Sequence, residues 1–299
     1  MNYLLHLFIY FCVYALLAAS LNLIIGYCGL INLAHVGYFA VGAYTYALVT
    51  LRLHWGYLPA VLCAFIIPAL LSFLLSLQAW RLKGSFFVLG SLAVQVVLFN
   101  AIYNWHAPGA DFGTMANLTN GPHGISGAPK PVIFGYEFDT IGGIAVISGL
   151  VLAGGLSIMA LLVFSPWGRV LQAMRDDELA ARGLGKNVRF LKVQAFFVAC
   201  GIAGVAGALY ASYVGYVDPS LASIDESILV VSMLIVGGAG NFRGPLTGAA
   251  VLLGMLEALR LLHVPESMAG EVRMVAYGLL IVLMMHFRPE GIAGSYRIE

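Results

Sequence analysis

Of the 299 residues, 61% are hydrophobic and 10% are charged, and the formal net charge is +1. Soluble domains carry about 25% charged residues, so this composition excludes an ordinary soluble domain; the near-neutral charge gives no handle for an acidic partner such as nucleic acid. The four cysteines (Cys12, Cys28, Cys63 and Cys200) lack CxxC or metal-ligand spacing and the seven histidines lack an H-E-x-x-H pattern, which reads the cysteines as small buried apolar residues and offers no metal site.

No Lys, Arg, Asp or Glu occurs before Arg52. The basic n-region of a cleavable signal peptide is therefore missing, and the first apolar run is expected to be retained as a span. A spanning helix needs about 20 mostly apolar residues. Runs of that kind cover residues 3–25, 30–51, 58–80, 85–103, 140–164, 193–214, 227–240, 245–262 and 272–287. They predict an all-α, polytopic integral membrane protein of about eight to ten membrane helices, some broken, forming a single transmembrane domain over residues 1–299. The seventh and ninth runs are short and the seventh is glycine-flanked, as broken helices lining a cavity are.

Along the chain, the first polar interruption is residues 26–42. Gly26 and Gly29 break the helix, and Asn32, His35 and Tyr38 recur every three residues, on one face of the helix that follows. Broken helices expose backbone N–H and C=O groups near the midplane, where they can meet the carboxylate and ammonium of a zwitterion. Asn32, His35 and Tyr38 are candidate path-lining residues; the alternative is that Asn32 and His35 hydrogen-bond helix to helix. Gln95, between Ser91 and Asn100 in the fourth span, is a further candidate, with interhelix bonding the stronger alternative. Residues 104–139 form a long loop rich in Gly, Pro, Asn and Thr. Small residues spaced by four, Ala145/Gly149/Ala153 and Ala203/Gly207/Ala211, read as packing seams.

Residues 165–192, SPWGRVLQAMRDDELAARGLGKNVRFLK, hold most of the loop charge. After Pro166, the positions Val170, Leu171, Met174 and Leu179 keep helical spacing. A short helix starting near Asp176 would have acids in its first turn and end at Gly183 or Gly185. Such a segment is either an interfacial connector or a rigid docking helix. Further on, Asp225 and Glu226 begin the seventh span at its outer end, and Glu257 and Arg260 are spaced to pair. With alternate loops assigned to one side, that side collects eleven of the Lys and Arg residues (81, 83, 169, 175, 182, 186, 189, 192, 243, 288 and 297) against four (52, 130, 260 and 273). The richer side is expected in the cytoplasm, with the C-terminus, which makes 104–139 external and 165–192 cytoplasmic.

Four stretches then carry a resemblance. RDDELAARGLG at 175–185 resembles the coupling-helix segment of permeases of ATP-binding-cassette importers, and more closely the branched-chain amino acid permease family, whose relatives take urea and short amides. NLIIGYCGLINLAHVGYFAVGAY at 22–44 is similar to that family's first polar interruption, LTNGPHGISG at 118–127 to the external glycine loop of one of its two paralogous subunits, and GGAGNFRGPLTGA at 237–249 to its late glycine–proline turn. The resemblance implies a coupling role for Arg175, Asp176, Asp177, Glu178, Ala180, Ala181, Gly183 and Gly185, although Leu179 separates Glu178 from Ala180 where importers have Glu-Ala-Ala. It also implies partners in a bacterial-type inner membrane: a homologous second permease subunit, two cytoplasmic ATP-binding subunits and an external solute-binding protein.

The chain lacks a G-x-x-x-x-G-K-S/T phosphate loop. It is therefore expected to hold no cofactor and no catalytic residue, with ATP and Mg bound by the partner subunits. The function implied is a permease subunit that moves branched-chain or similar small neutral amino acids, or else urea or short amides. A self-sufficient secondary transporter would be expected to carry coupling carboxylates or a ring of charges, and no Asp, Glu, Lys or Arg falls mid-span in the expected runs.

Overall fold

The charge-free N-terminal run forms α1 (Asn2–Asn22) and continues into one π-helical turn, Leu23–Tyr27. After a break come α2 (His35–Arg52), α3 (Tyr57–Leu71), α4 (Phe73–Arg81), α5 (Ser85–Asn104) and α6 (Ile141–Val163). The short α7 (Pro166–Asp176) and α8 (Glu178–Gly183) lead into α9 (Val188–Val214), α10 (Ile224–Gly237), α11 (Gly244–Leu261) and α12 (Ala269–Phe287). This computed structural model describes residues 2–82, 84–107, 109–110, 113–133, 136–261, 269–288 and 290–294. Lys83, Leu262, Arg297 and the side chains of Arg260 and Arg273 lie outside the described residues, and with them the expected Glu257–Arg260 pair. Each of the nine expected runs overlaps a helix, although residues 30–34 of the second fall in the break before α2 and 238–240 of the seventh lie past α10. Among the described residues, five helical stretches are long and apolar enough to cross a membrane: Asn2–Tyr27, Tyr57–Arg81, Ser85–Asn104, Ile141–Val163 and Val188–Val214.

Among the described residues, strand is confined to two-residue pieces in loops. β1 (Ile125–Ser126) pairs antiparallel with β4 (Tyr216–Val217), and β2 (Val132–Ile133) with β3 (Tyr136–Glu137). The β1–β4 pair fastens the loop after α5 to the end of α9, at the end of the bundle opposite residues 165–192.

The core is α1, α2 and α9, each buried along most of its length. Glycine lets these backbones touch. A Cβ at Gly207 would sit 2.0 Å from the Phe39 carbonyl oxygen, and one at Gly42 2.3 Å from the Gly204 Cα. Pro68 has no N–H, so the Ala64 carbonyl in α3 loses its helical donor; Gly204 packs against that carbonyl, with room for no side chain. The Ala203/Gly207/Ala211 seam is thus close-packed. The Ala145/Gly149/Ala153 seam is not: Gly149 meets Phe8 only at ordinary contact and Ala153 is exposed. Instead α6 meets α1 closely at Gly155, where a Cβ would lie 2.5 Å from Leu16.

Candidate functional site

Asn22 organises the end of the first span. Its side-chain amide donates to the Asn241 carbonyl at 2.9 Å and its Oδ1 accepts from the Gly240 N–H at 3.0 Å. The first polar interruption and the late glycine turn are therefore in direct contact, and a Cβ on Gly26 would lie 2.4 Å from the Gly240 nitrogen. The turn itself is held by Asn241, whose Nδ2 donates to Ala293 O at 2.7 Å.

Beyond the π-helical turn the chain reverses at Gly29, whose φ of 70° is left-handed. Asn32 does not share a helix face with His35 and Tyr38, contrary to the spacing argument. It stays in the break because its Oδ1 accepts from Ala34 N–H at 3.0 Å, the local side-chain bond that competes with helix. Asn32 is fully buried and its Nδ2 has no hydrogen-bond partner. His35 opens α2, 2.7 Å from Ser20 Oγ through Nε2. The Ser20 hydroxyl donates to Leu17 O at 2.8 Å, so His35 must donate its Nε2–H to Ser20, which leaves Nδ1 as a bare, unpartnered acceptor. Tyr38 donates to Leu71 O at 3.4 Å, where the Ser72 break opens the helix ladder between α3 and α4.

Gln95 uses both ends of its amide. Oε1 accepts from Gly37 N–H at 2.9 Å, and Nε2 donates to Ala222 O at 2.6 Å. It joins α2 to the stretch that dips before α10, and it borders a cavity of about 180 Å³ with Phe99, Ser223 and Ile224. One turn earlier, Ser91 Oγ accepts from Leu33 N–H at 3.1 Å.

Residues 165–192 form two short helices rather than one. Asp177 leaves helical geometry and caps α8, its Oδ1 accepting from Leu179 N–H at 2.8 Å and Ala180 N–H at 3.0 Å. Gly185, with φ 76°, ends the segment. Ala180, Gly183 and Gly185 are exposed, and a side chain at Gly183 would meet open space. Leu179 and Leu184 are 72% and 80% exposed, so the knob presents two apolar side chains that no packing inside this chain covers. Leu179 had read as the continuation of an α7 stripe; the Asp177 cap turns it outward.

Among the residues expected to couple, Ala181, Glu178 and Arg175 turn inward. Ala181 is 4% exposed and packs on its own chain. Glu178 pairs with Arg182 and, at 3.3 Å, with Lys192, whose side chain is 5% exposed and also donates to Ala79 O at 3.2 Å. Arg175 donates through Nη1 to Gly26 O at 2.7 Å and through Nε to Asp176 Oδ1 at 2.9 Å. Its stem lies over Gly29.

Sequence reasoning missed a polar stripe on α1. Tyr3, His6, Tyr10 and Tyr14 follow helical spacing and meet carboxylates and tyrosines from distant parts of the chain. Tyr3 donates to Glu257, His6 bonds to the Tyr213 hydroxyl, and Tyr14 donates to Glu226 Oε2 at 3.2 Å. Tyr10 stands edge-on to Tyr210 and Tyr213, with ring centroids 6.4 and 5.7 Å away. The i, i+3, i+4 recurrence of hydroxyl-bearing and imidazole side chains in an otherwise apolar run was the readable signal. Glu226 is a correction to the expectation that no carboxylate lies mid-span. Its Tyr14 partner places it well down α1, because the chain re-enters the bundle through a 3₁₀ turn, Pro219–Ala222, before α10 begins.

Apolar helices crossing the whole chain, two glycine-broken interruptions in contact and a capped knob at one end define a multi-pass α-helical membrane protein built around broken spans. The chain belongs to the family described as branched-chain amino acid transport system / permease component, whose model matches residues 3–285. It is 30% identical to the high-affinity branched-chain amino acid transport system permease protein LivM of Escherichia coli K12, over 94% of this chain and 67% of that one. It is 25% identical to BraD of Pseudomonas aeruginosa over 96% of this chain and 93% of the relative, and 24% identical to LivH of Escherichia coli K12 over 96% and 92%. Both relatives carry the same description as LivM. No solved structure matches.

Proposed function

We propose that this chain is the membrane-spanning subunit of an ATP-driven importer for branched-chain amino acids or small neutral amino acids of the same shape. The observation that carries the coupling part of this reading is the two-sided build of residues 165–192. One side of the knob is capped, compact and apolar at Leu179 and Leu184; the other is pinned to the broken first span by Arg175 and to α4 and α9 by Lys192. A force on the knob would therefore reach the helix break without first unfolding a loop. In this reading the knob faces the cytoplasm, docks on one of two ATP-binding subunits that hold ATP and Mg, and works beside a second, homologous permease subunit. An external binding protein delivers solute to the opposite end. Asn32 Nδ2 and His35 Nδ1, buried without partners, are the polar atoms left over at the break for a passing solute.

The test is to reconstitute the complex that co-purifies with the tagged chain and to measure ATP-dependent uptake of leucine against urea and acetamide. Leucine uptake that needs ATP and an external binding protein is expected. Uptake of urea or acetamide alone would replace the amino-acid reading, and leucine uptake without ATP would remove the importer reading.

A further inference from the structure

Glu226 is a carboxylate where a membrane protein can least afford one. Tyr14, its hydrogen-bond partner, lies about 18 Å down α1 from Asn2 at about 1.5 Å per residue, near the middle of a hydrocarbon core about 30 Å thick. Among the described residues, no Lys or Arg pairs with Glu226 or with Asp218, the nearby acid before the 3₁₀ turn. Glu226 feels both Asp225 beside it and Asp218, and Glu226 and Asp218 both act on the Tyr210 hydroxyl. Glu226 is half-buried, and a carboxylate at this depth without a countercharge is costly to ionise and is by default a functional candidate, one that a visiting cation would favour.

The surroundings fit an organic cation rather than a bare metal ion. Tyr10 and Tyr210 meet edge to face at 6.4 Å, and Phe39 closes on Tyr210 at 5.8 Å, so an aromatic cluster gathers around Tyr210, whose hydroxyl lies within electrostatic reach of the carboxylate. Among the described residues no group of three His, Cys, Asp or Glu side chains could hold a metal. Independently, Tyr44 on α2 is buried with its hydroxyl unpartnered, and that hydroxyl lies within electrostatic reach of Asp218. It is a spare hydrogen-bonding group near Asp218. Carboxylate, aromatic faces and spare hydroxyl together are what an alkylammonium needs: one charge-assisted hydrogen bond, cation–π contact and a further polar partner.

We propose that Glu226, with Tyr14, Tyr10 and Tyr210, forms a mid-membrane subsite for the ammonium group of the transported amino acid, with Asp218 guiding that group in. The assignment rests on the amino-acid reading above. It gives the path a charge-selective station distinct from the helix break at Asn32 and His35, so that a neutral amide, lacking the ammonium, is left without its main attraction here.

The experiment compares the reconstituted complex carrying the native chain, Glu226→Gln and Tyr14→Phe, with subunit retention on the tagged chain measured for each. The probes are leucine and acetamide. Glu226→Gln keeps an acceptor for Tyr14 and removes only the charge, so leucine uptake should fall about tenfold or more, the equivalent of one charge-assisted hydrogen bond. Tyr14→Phe leaves the charge in place and should cost no more than about threefold. Leucine uptake by Glu226→Gln equal to that of the native complex overturns the subsite, and so does an equal loss in both variants, which would mark the pair as structural. Acetamide uptake without leucine uptake by the native complex overturns the amino-acid reading and the subsite with it. If Glu226→Gln is not retained in the complex, Asp218→Asn decides: a loss of about threefold or more supports the subsite and unchanged uptake overturns it.

Discussion

The Arg175 guanidinium donates to the Gly26 carbonyl oxygen at 2.7 Å, across 149 residues of sequence. This hydrogen bond runs from the charged segment at the basic end of the bundle straight into the first broken span. A π-helical turn changes the ladder's register and leaves carbonyls to be satisfied from outside it, and Arg175 satisfies this one.

Removing that link should separate coupling from insertion. Arg175→Ala leaves the Gly26 oxygen without its donor, a cost of about 1–3 kcal/mol for a buried acceptor. Leucine uptake by the reconstituted complex is expected to fall about tenfold, while the chain still appears in the membrane fraction. Arg175→Lys should recover only part of it, because an ammonium replaces a planar fork that also holds Asp176. Native uptake in Arg175→Ala would show that the bond carries no motion.

Bulk at the knob should act differently at two neighbouring positions. Gly183→Trp extends into open space, so the chain should keep its thermal stability and its place in the membrane while solute-stimulated ATP hydrolysis is lost. Ala181→Trp has no such space, since Ala181 is buried against its own chain; overpacking costs about 1–3 kcal/mol, and its melting temperature should fall. Equal stability loss in both, or full coupling in Gly183→Trp, would move the docking surface away from α8.

Glu178 is a structural anchor. Truncation to Ala strips Lys192, 5% exposed, of its carboxylate and leaves only Ala79 O as partner. An unpaired charge of this kind costs about 1–3 kcal/mol after allowance for the partial exposure of Glu178. Thermal unfolding of the purified complex should therefore begin at lower temperature in Glu178→Ala, and Glu178→Gln should restore part of the difference. An unchanged unfolding temperature would mean that Lys192 finds solvent.

Sidedness has a direct assay. Met115 is 87% exposed in the loop after α5, and Lys186 is exposed beside α8. Cysteines placed there should react with an impermeant maleimide from opposite sides of the membrane, position 115 from outside. The native cysteines give little background, as Cys12, Cys28 and Cys200 are buried and Cys63 is half-buried. Labelling of both positions from one side would reverse the orientation argument.

Much of this was legible from residue order. Apolar length located the nine runs, and Gly26, Gly29 and the glycines at 237–240 located the breaks, because helix interruption is a local property. The acids at 176–178 and the glycines at 183 and 185 marked α8 to within two residues for the same reason. What was not legible depends on direction. Arg175 and Glu178 were expected to take part in docking a partner, yet each turns inward to a group of this chain's other helices. Glu226 read as the start of a span because the dip of residues 219–222 has no hydrophobic period to betray it. The Tyr3, His6, Tyr10 and Tyr14 stripe was visible as spacing, but its meaning came only from Glu257, Tyr213 and Glu226, more than 200 positions away.

Gln95 sets a condition on any motion of the path. Its amide is one rigid plane, bonded on one side to Gly37 at the start of α2 and on the other to Ala222 just outside α10. The two ends cannot separate by even a few ångströms without one bond breaking inside the bundle. Opening toward the β1–β4 end thus exposes either a backbone N–H or a backbone carbonyl, a penalty of about 1–3 kcal/mol unless something polar replaces the amide. Water or the solute's own carboxylate or ammonium could do so. A permease locked in this way would rest closed, and the cargo that completes the broken hydrogen bond would itself help to hold the gate open.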